Sequence, residues 1–363
     1  MPVFRIAFTG DFLNAAGQCA YTTEGLDRLD RAAHVQYHYI ENQRPRDDPD
    51  YWRRFYSLEV SADDIADVDG LVVLRPWVKA DTFARGADTL LVIGRSGAGY
   101  DKIDLNSCTR HGVAVFNVPK ALDHSTASTA LMFMLALAKR LPDQERVART
   151  GRWNRQAEVL GSEIERRTLG IVGLGRSGRE LVRLAAPFAM NFLAYSPHAD
   201  RQEARAIGVE LTSLEDLMRR ADFISVHARL TASNHRLIGR DQFALMKRTA
   251  YLVNVARGEL IDQAALVKAL QERRIAGAAL DVYEVEPPPL DDPLLTLDNV
   301  ILTPHWSCST IDVWQATGRA IADGMLRAAQ GEVPANVVNP EVLERRSFRD
   351  KLARFEENRS ACQ

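Results

Sequence analysis

The chain has 363 residues, which exceeds the size that one hydrophobic core usually serves, so we expect two domains. Its 46 basic and 48 acidic residues leave a formal net charge of −2, which argues against nucleic acid or a membrane surface as a partner. A small molecule is therefore the expected ligand. The cysteines lack CxxC spacing, which favours reduced thiols in a cytoplasmic protein and predicts no metal site. They are Cys19, Cys108, Cys308 and Cys362.

The N-terminus, "MPVFRIAFTGDF", alternates like a first strand and lacks the basic and then apolar pattern of a signal peptide. The longest apolar run, "ALMFMLALA" from Ala130 to Ala138, is too short to span a bilayer. It predicts a buried helix, and no membrane partner is expected.

Strand patterns alternate with helix patterns along the chain, which predicts an α/β protein with parallel sheets covered by helices on both faces. The first group of strand patterns is "FRIAF", "VQYHYI", "GLVVL", "LLVIGR" and "VAVFNV". The second group is "LGIVG", "NFLAYS", "DFISVH", "AYLVNVA", "GAALDV" and "VILTP". Two groups predict two sheets. The polar, proline-containing stretch from Glu41 to Trp52 predicts a surface loop.

Two long helix patterns lie near the borders of these groups. One runs from Leu122 to Leu141, with Asp123 or Ser125 as its capping residue and Pro142 near its end. The other runs from Ser309 to Gln330, and the "GEVPANVVN" that follows predicts an irregular segment.

The stretch "GLGRSG" opens the second group of strands. Gly173 permits a tight turn, Gly175 lets the backbone approach a pyrophosphate, and Gly178 allows close packing of helix on strand. The helix that follows supplies free N–H groups for phosphates. Because the motif lies between an apolar strand and a helix, it predicts a dinucleotide-binding turn rather than a plain glycine loop.

This motif begins almost halfway along the chain, so we expect an inserted nucleotide domain. Residues 119–306 would form the Rossmann domain that binds NAD or NADP. Residues 1–118 and 307–340 would form a discontinuous substrate domain, and residues 341–363 a C-terminal tail. The expected fold class is α/β, with two Rossmann-like or flavodoxin-like parallel-sheet domains and the nucleotide domain inserted in the split substrate domain. Clefts between domains often hold small-molecule sites.

Three polar stretches follow strands of the second group, where open α/β sheets bind their ligands. They are "NVARGELID", "ALDVYEVEPPP" and "LTPHWS". Arg257 can hold a carboxylate and polarise a carbonyl, His305 can exchange a proton near neutral pH, and Glu286 can orient the imidazole. Each residue also has an alternative without function: a surface ion pair for Arg257, a histidine that is not catalytic, and a solvated loop position for Glu286.

In order along the chain, "VIGRSGAGYDKIDL", "GIVGLGRSG", "NVARGELID", "AALDVYEVEPP" and "ILTPH" resemble the D-isomer-specific 2-hydroxyacid dehydrogenase family, over roughly residues 70 to 325. The resemblance implies hydride transfer between NAD, with NADP left open, and a small D-2-hydroxy acid or 2-oxo acid. It also implies a homodimer formed through the nucleotide domain. The implied catalytic residues are Arg257, Glu286 and His305.

The resemblance also implies two sets of binding residues. Asp281 would meet the nicotinamide carboxamide, although a structural hydrogen-bonding role at a strand end is an equal alternative. The implied cofactor contacts are Gly173, Gly175, Arg176, Ser177, Gly178, Ser196, His227, Ala256, Asp281 and His305. The implied substrate contacts are Arg75, Ser96, Gly97, Ala98, Gly99 and Arg257.

Ser196 departs from the family pattern, which has an acidic residue at the end of the second strand of the nucleotide domain. A serine neither accepts two hydrogen bonds from the ribose nor repels a 2′-phosphate, so the preference between NAD and NADP stays open, with NAD favoured. His198 and Arg201 are the nearest side chains that could meet a phosphate.

Two other functions remain open at this point. One is a nucleotide-sensing binding protein with vestigial catalysis, as in the corepressors called C-terminal binding proteins. The other is a dehydrogenase of the formate or phosphite type. The absence of a basic or low-complexity tail favours an enzyme.

Overall fold

The computed structural model of the chain describes residues 1–21, 24–43 and 49–361. The chain divides into two compact units. Unit 1 comprises Met1–Leu122 and Ser309–Gln363, and unit 2 comprises Asp123–Cys308. Cys362 lies outside the described residues.

The strands of the described part are β1 (Phe4–Phe8), β2 (Val35–Tyr39), β3 (Gly70–Val73), β4 (Val92–Arg95), β5 (Ala114–Asn117), β6 (Thr168–Val172), β7 (Asn191–Tyr195), β8 (Val209–Leu211), β9 (Phe223–Val226), β10 (Tyr251–Asn254), β11 (Gly277–Leu280) and β12 (Val300–Leu302). Its α-helices are α1 (Leu26–Asp30), α2 (Pro49–Arg53), α3 (Leu105–Arg110), α4 (Asp123–Ala138), α5 (Leu141–Arg149), α6 (Arg176–Ala185), α7 (Arg201–Ala206), α8 (Leu214–Arg220), α9 (Arg240–Leu245), α10 (Gln263–Gln271), α11 (Ile311–Ala329) and α12 (Arg346–Ala353).

Unit 1 contains a five-stranded sheet in the order β2-β1-β3-β4-β5, with all pairs parallel. The five predicted strands are thereby confirmed. Parallel strands are buried on both faces, which explains why β3 and β5 consist of fully buried residues. Helix α11 packs against one face through Ile321, Met325 and Ala328.

The predicted surface loop from Glu41 to Trp52 is partly wrong. Gln43 is buried, accepting a hydrogen bond from the Gly10 amide at 3.3 Å and donating to the Glu59 carbonyl at 3.0 Å. Tyr51, in α2, is also buried. The two hydrogen bonds of Gln43 compensate for the burial of its polar side chain. The middle of the predicted loop, residues 44–48, lies outside the described residues.

Unit 2 contains a seven-stranded parallel sheet in the order β12-β11-β10-β9-β6-β7-β8. All six strand patterns of the second group are confirmed. The seventh strand, β8, has only three residues, which is too short for a recognisable alternation. The order places β6, which precedes the glycine turn, between β9 and β7.

The predicted helix from Leu122 to Leu141 is two helices. Helix α4 ends at Ala138 and buries Phe133, Met134 and Leu137, as expected of the apolar run. Arg140 then takes a φ of 51°, which breaks the helix, and Pro142 lies in the first turn of α5 instead of ending α4. Within the described ranges, no helix has both the length and the apolar character needed to cross a membrane.

The chain after residue 340, which the sequence analysis set apart as a tail, packs within unit 1. Phe348 and Phe355 are fully buried, and Phe355 contacts the ring of Phe4 edge to face. Lys351 of α12 is also buried. Its ammonium group donates to three backbone carbonyls, those of Ala87 at 2.5 Å, Leu90 at 2.9 Å and His111 at 2.7 Å.

We expect Lys351→Met to lower the free energy of unfolding by about 3 kcal/mol, because three buried carbonyls would lose their donor. Denaturant unfolding followed by circular dichroism measures this change. Lys268→Met is the matched control, since the Lys268 side chain is 65% exposed and its ion pair with Glu272 lies on the surface. Equal stability of the two variants would contradict the assigned role of Lys351.

Candidate active site

The predicted catalytic and cofactor residues of unit 2 follow strands that end at one edge of its sheet. Gly173 follows β6, His227 follows β9, Arg257 follows β10, Asp281 follows β11 and His305 follows β12. Because these strands are parallel neighbours, their carboxyl ends bring the residues together.

Asp281 organises residues 303–307, which we call the histidine loop. It is fully buried. Its Oδ1 accepts from the Thr303 hydroxyl at 2.6 Å and the Trp306 amide at 2.7 Å, and its Oδ2 accepts from the Ser307 amide at 2.9 Å. Its carbonyl accepts from the His305 amide at 2.8 Å. These bonds hold His305 at a φ of 52°, a conformation that side chains other than glycine seldom adopt.

His305 and Glu286 form a hydrogen-bonded pair. Nδ1 of His305 lies 2.9 Å from Oε2 of Glu286, and the other oxygen of Glu286 accepts from the Tyr283 amide at 3.2 Å. Burial alone would raise the pKa of Glu286, but the hydrogen bond from His305 and the charges of His305 and Arg257 hold that pKa below its usual range. The carboxylate therefore stays ionised and can accept the hydrogen bond from Nδ1 of His305.

Arg257 lies in a turn that is held by hydrogen bonds from Asn254 and by a close contact between Gly258 and Tyr283. The buried Asn254 donates from Nδ2 to the Arg257 carbonyl at 2.8 Å and accepts from the Ala256 amide at 3.1 Å. At Gly258, an added Cβ would lie 1.9 Å from the carbonyl carbon of Tyr283. Only glycine therefore lets this turn approach the loop that carries Glu286.

Helix α4 anchors the histidine loop from the side opposite Asp281. The carbonyl of Ser307 accepts from the Ser125 hydroxyl at 2.7 Å and from the Thr129 hydroxyl at 3.2 Å. Ser125 and Thr129 lie one helical turn apart, so both reach the same carbonyl.

The glycine turn is tightly packed where a strand and helix meet, and open where a ligand would lie. A Cβ added to Gly173 would lie 2.6 Å from the backbone of Ala228. A Cβ added to Gly178 would lie 2.5 Å from the carbonyl oxygen of Gly173. At Gly175 the same atom would meet no described heavy atom within 4 Å. The first backbone bond of α6 joins Arg179 N to Gly175 O, which leaves the preceding amides without a partner in the helix. This cradle fits the diphosphate of a nicotinamide dinucleotide.

The other predicted cofactor residues of unit 2 have assigned surroundings. Arg176 forms an ion pair with Asp123 at 2.7 Å. Ser177, in the first turn of α6, lies 3.0 Å from Nδ1 of His227. Ser196 directly follows β7, and the carbonyl of the residue before it, Tyr195, accepts from the Gly173 amide.

The predicted substrate residues of unit 1 lie at the ends of β3 and β4. Gly97 takes a φ of 153°, and the carbonyl of Ala98 accepts from Asn117 at 2.6 Å. Among the described residues, the amides of Ala98 and Gly99 have no acceptor. Ser96 is buried, and its amide bonds to Val73 O.

Arg75 of unit 1 is largely buried rather than open. Its side chain is 17% exposed, and it pairs at 3.5 Å with the fully buried Asp11. Its guanidinium carbon lies 4.5 Å from the ring centre of Phe55, and the rings of Tyr21 and Tyr56 are also nearby. Its role in substrate binding stays a prediction.

Sequence reasoning did not single out Asn254, Gly258 or Thr303. Each lies inside a stretch that had been recognised for its charged neighbour. A polar Asn254 at the end of an apolar strand was a signal that could have been used, because buried amides are almost always hydrogen-bonded. The contact of Gly258 with Tyr283 joins distant parts of the chain and leaves no local signal.

Comparison with known proteins gives matches to one family model and to several dehydrogenases and reductases. Residues 131–307 match the family model described as "D-isomer specific 2-hydroxyacid dehydrogenase, NAD binding domain". The chain is 44% identical over 276 residues to a D-3-phosphoglycerate dehydrogenase of Methanocaldococcus jannaschii, which covers 76% of this chain but only 52% of that protein. It is 39% identical over 291 residues to a glyoxylate reductase of Korarchaeum cryptofilum, covering 79% of this chain and 87% of that one.

Among solved structures, the chain resembles an NADPH-dependent glyoxylate/hydroxypyruvate reductase from Sinorhizobium meliloti, determined with NADP and malonate. The TM-score is 0.76 and the identity 27%, over 93% of this chain and 97% of that one. The two-sheet α/β fold predicted from the sequence is thereby confirmed, as is a nicotinamide cofactor.

We expect Gly258→Ala to lower turnover by about 10–100-fold, because the new methyl group would push the Arg257 turn away from the loop that carries Glu286. Steady-state kinetics measures this loss. Gly239→Ala is the control, since its added Cβ would meet nothing closer than 3.8 Å. Normal turnover in Gly258→Ala would mean that the close approach has no catalytic role.

Proposed function

Since the chain belongs to the D-isomer specific 2-hydroxyacid dehydrogenase family, we propose that it transfers a hydride between a nicotinamide cofactor and C2 of a small D-2-hydroxy acid or 2-oxo acid. The observation that carries this proposal is the hydrogen bond between His305 and the ionised Glu286, at the sheet edge that also carries Arg257 and the glycine turn. When bound, the nicotinamide supplies or accepts the hydride.

His305 is the proposed general acid and base. With Nδ1 engaged by Glu286, Nε2 is the atom that exchanges the proton with the substrate oxygen. During reduction, the imidazolium gives its proton to the oxygen as the carbonyl carbon gains the hydride. Glu286 holds the imidazole in place through the hydrogen bond to Nδ1, and oxidation reverses each transfer.

Arg257 is the proposed substrate-binding cation of unit 2. A guanidinium presents donors in a planar fork, which suits a carboxylate and an adjacent carbonyl oxygen. In unit 1, the amides of Ala98 and Gly99 also suit a carboxylate, because they have no acceptor in the described part of the chain. We propose residues 119–306 as the nucleotide domain, and residues 1–118 and 307–340 as the substrate domain.

A panel of acids tests the proposal directly. Loss of reduced-nicotinamide absorbance should be seen with at least one 2-oxo acid among glyoxylate, hydroxypyruvate and longer homologues, or its gain with D-3-phosphoglycerate. Dinucleotide binding without turnover on any of them would point instead to the sensing protein considered above, and turnover of formate or phosphite to the other alternative.

We expect His305→Gln to lower turnover by about 10²–10⁴-fold while leaving dinucleotide affinity nearly unchanged, because the amide cannot exchange a proton. Turnover and NADH fluorescence titration measure the two effects. Exposed His235 provides the control variant His235→Gln.

Arg257→Lys should lower turnover to a similar extent, since an ammonium group cannot replace the planar fork of guanidinium donors. Arg248→Lys, at an exposed position, should leave turnover unchanged. Near-normal turnover in either catalytic variant would refute its assigned role.

Ser196 is the proposed determinant of cofactor choice. It occupies the residue after β7, where an acidic side chain would accept from the ribose hydroxyl groups and repel a 2′-phosphate. The serine hydroxyl is uncharged, so it accepts more weakly from the ribose and does not repel a 2′-phosphate. We therefore propose that NAD is preferred only weakly over NADP. His198 and Arg201 are exposed close by in the chain.

We expect Ser196→Asp to weaken the use of NADPH by about 1–3 kcal/mol, because a carboxylate would face the 2′-phosphate. The use of NADH should be unchanged or improved. The ratio of kcat/KM for the two cofactors measures the effect, and Ser61→Asp, on the surface of unit 1, controls for the added charge. An unchanged ratio would show that Ser196 does not face the ribose.

A homodimer through unit 2 is the proposed assembly. Four exposed apolar side chains lie between residues 132 and 160, on α4, α5 and the segment after them: Met132, Leu141, Trp153 and Leu160, at 43%, 57%, 64% and 72% exposure. Burial of these four side chains against a second copy would remove their apolar surface from water.

Light scattering should give twice the chain mass of 40.5 kDa for the unmodified protein. The double variant Trp153→Arg, Leu160→Arg should be monomeric, because charges would replace the apolar contact. Ile207→Arg, an exposed apolar residue elsewhere in unit 2, should leave the dimer intact. A dimeric double variant would place the contact elsewhere.

We also propose a cytoplasmic location. Cys19, Cys108 and Cys308 are not joined in disulfides, which supports a reducing compartment.

A further inference from the structure

Three side chains form a line of hydrogen bonds behind the glycine turn. Nδ1 of His227 lies 3.0 Å from the hydroxyl of Ser177, and Nε2 lies 2.9 Å from the hydroxyl of Ser225. Ser225 is fully buried in β9, whereas Ser177 is partly exposed in the first turn of α6. The line therefore leads from the core to the amides that would bind a diphosphate.

The imidazole in the middle of this line is neutral. Burial lowers the pKa of His227 to about 4, so the ring carries one proton at physiological pH. A neutral imidazole has one nitrogen that donates and one that accepts. Two arrangements of the three protons are therefore possible, and they run in opposite directions.

The two arrangements differ in which serine hydroxyl proton has no acceptor among the three side chains. With the proton on Nε2, the ring donates to Ser225, whose own hydroxyl proton then has no acceptor among the described residues. A buried donor without an acceptor is costly. With the proton on Nδ1, Ser225 donates to Nε2 and the ring donates to Ser177. The leftover proton is then that of Ser177, at the partly exposed end.

We propose that Ser225 and His227 fix this second direction, so that Ser177 donates its hydroxyl proton to the diphosphate of a bound dinucleotide. Ser177 is then the residue that touches the ligand, and Ser225 and His227 are positioning residues. The inference rests on the proposed function, because it requires a dinucleotide at the glycine turn. It explains why a polar side chain is buried in the middle of an otherwise apolar strand, "FISV".

Calorimetric titration of the full chain with ADP-ribose tests the inference without any turnover. Ser177→Ala should weaken binding about tenfold, the scale of one hydrogen bond to a charged group. Ser225→Ala should weaken it about threefold, although the buried Ser225 cannot touch the ligand. Ser57→Ala, which removes a surface hydroxyl of unit 1, should have no effect.

The double variant Ser177→Ala, Ser225→Ala separates the proposed coupling from two independent effects. If Ser225 acts only through Ser177, the double variant should bind ADP-ribose as weakly as Ser177→Ala alone. Ser225→Thr keeps the hydroxyl and should bind like the unmodified protein. A double variant weakened by the product of the two single effects would overturn the proposal.

A measurement on the unmodified protein avoids any variant that fails to fold. Nitrogen NMR of histidine-labelled protein should show the proton of His227 on Nδ1, with and without ADP-ribose. A proton on Nε2 would overturn the proposed direction. If the unmodified protein binds neither ADP-ribose nor NADH, the proposed function fails together with this inference. If it binds them and Ser225→Ala binds equally well, only the inference fails.

Discussion

The carboxylate of Asp281 fixes where His305, the proposed general acid and base, lies in unit 2. The backbone amides of three successive residues, His305, Trp306 and Ser307, bond to the carbonyl or carboxylate of this one residue. The bonds on both sides compensate for the positive φ of His305, a conformation that costs of order 1–3 kcal/mol when unsupported. Without them the loop would relax, and the imidazole would leave Glu286.

Helix α4 connects this loop to the glycine turn. Its first turns bond to Ser307 through Ser125 and Thr129, its first residue, Asp123, pairs with Arg176 at the start of α6, and α4 and α6 pack together. One helix therefore holds both the histidine loop and the turn proposed to bind phosphate. A reaction that moves a hydride and a proton together requires such fixed placement, because small displacements of reacting groups are costly in rate.

The sequence was sufficient to predict features that depend on short, local residue patterns. Eleven strands, the glycine turn and the charged residues after β10, β11 and β12 follow from apolar patterns and spacing. The break at Arg140 was missed because Pro142 marks the end of one helix and the start of another equally well. The packing of Phe348 and Phe355, the bonds of Asp281 and the contact of Gly258 with Tyr283 join segments distant in sequence, and no local pattern encodes them.

The sheet order separates the residue proposed to determine cofactor choice from the residues proposed for acid–base chemistry. Arg257, Glu286 and His305 follow β10, β11 and β12, which lie on one side of β6, whereas Ser196 follows β7 on the other side. In the described part of the chain, the loops that carry Arg257 and His305 bond to Asn254, Asp281 and α4, while the backbone at Ser196 bonds to Ala199. On the proposed assignment, a change at position 196 would alter the preference between NAD and NADP without disturbing the bond between His305 and Glu286. The proposed role of Ser196 is therefore independent of the proposed acid–base role of His305.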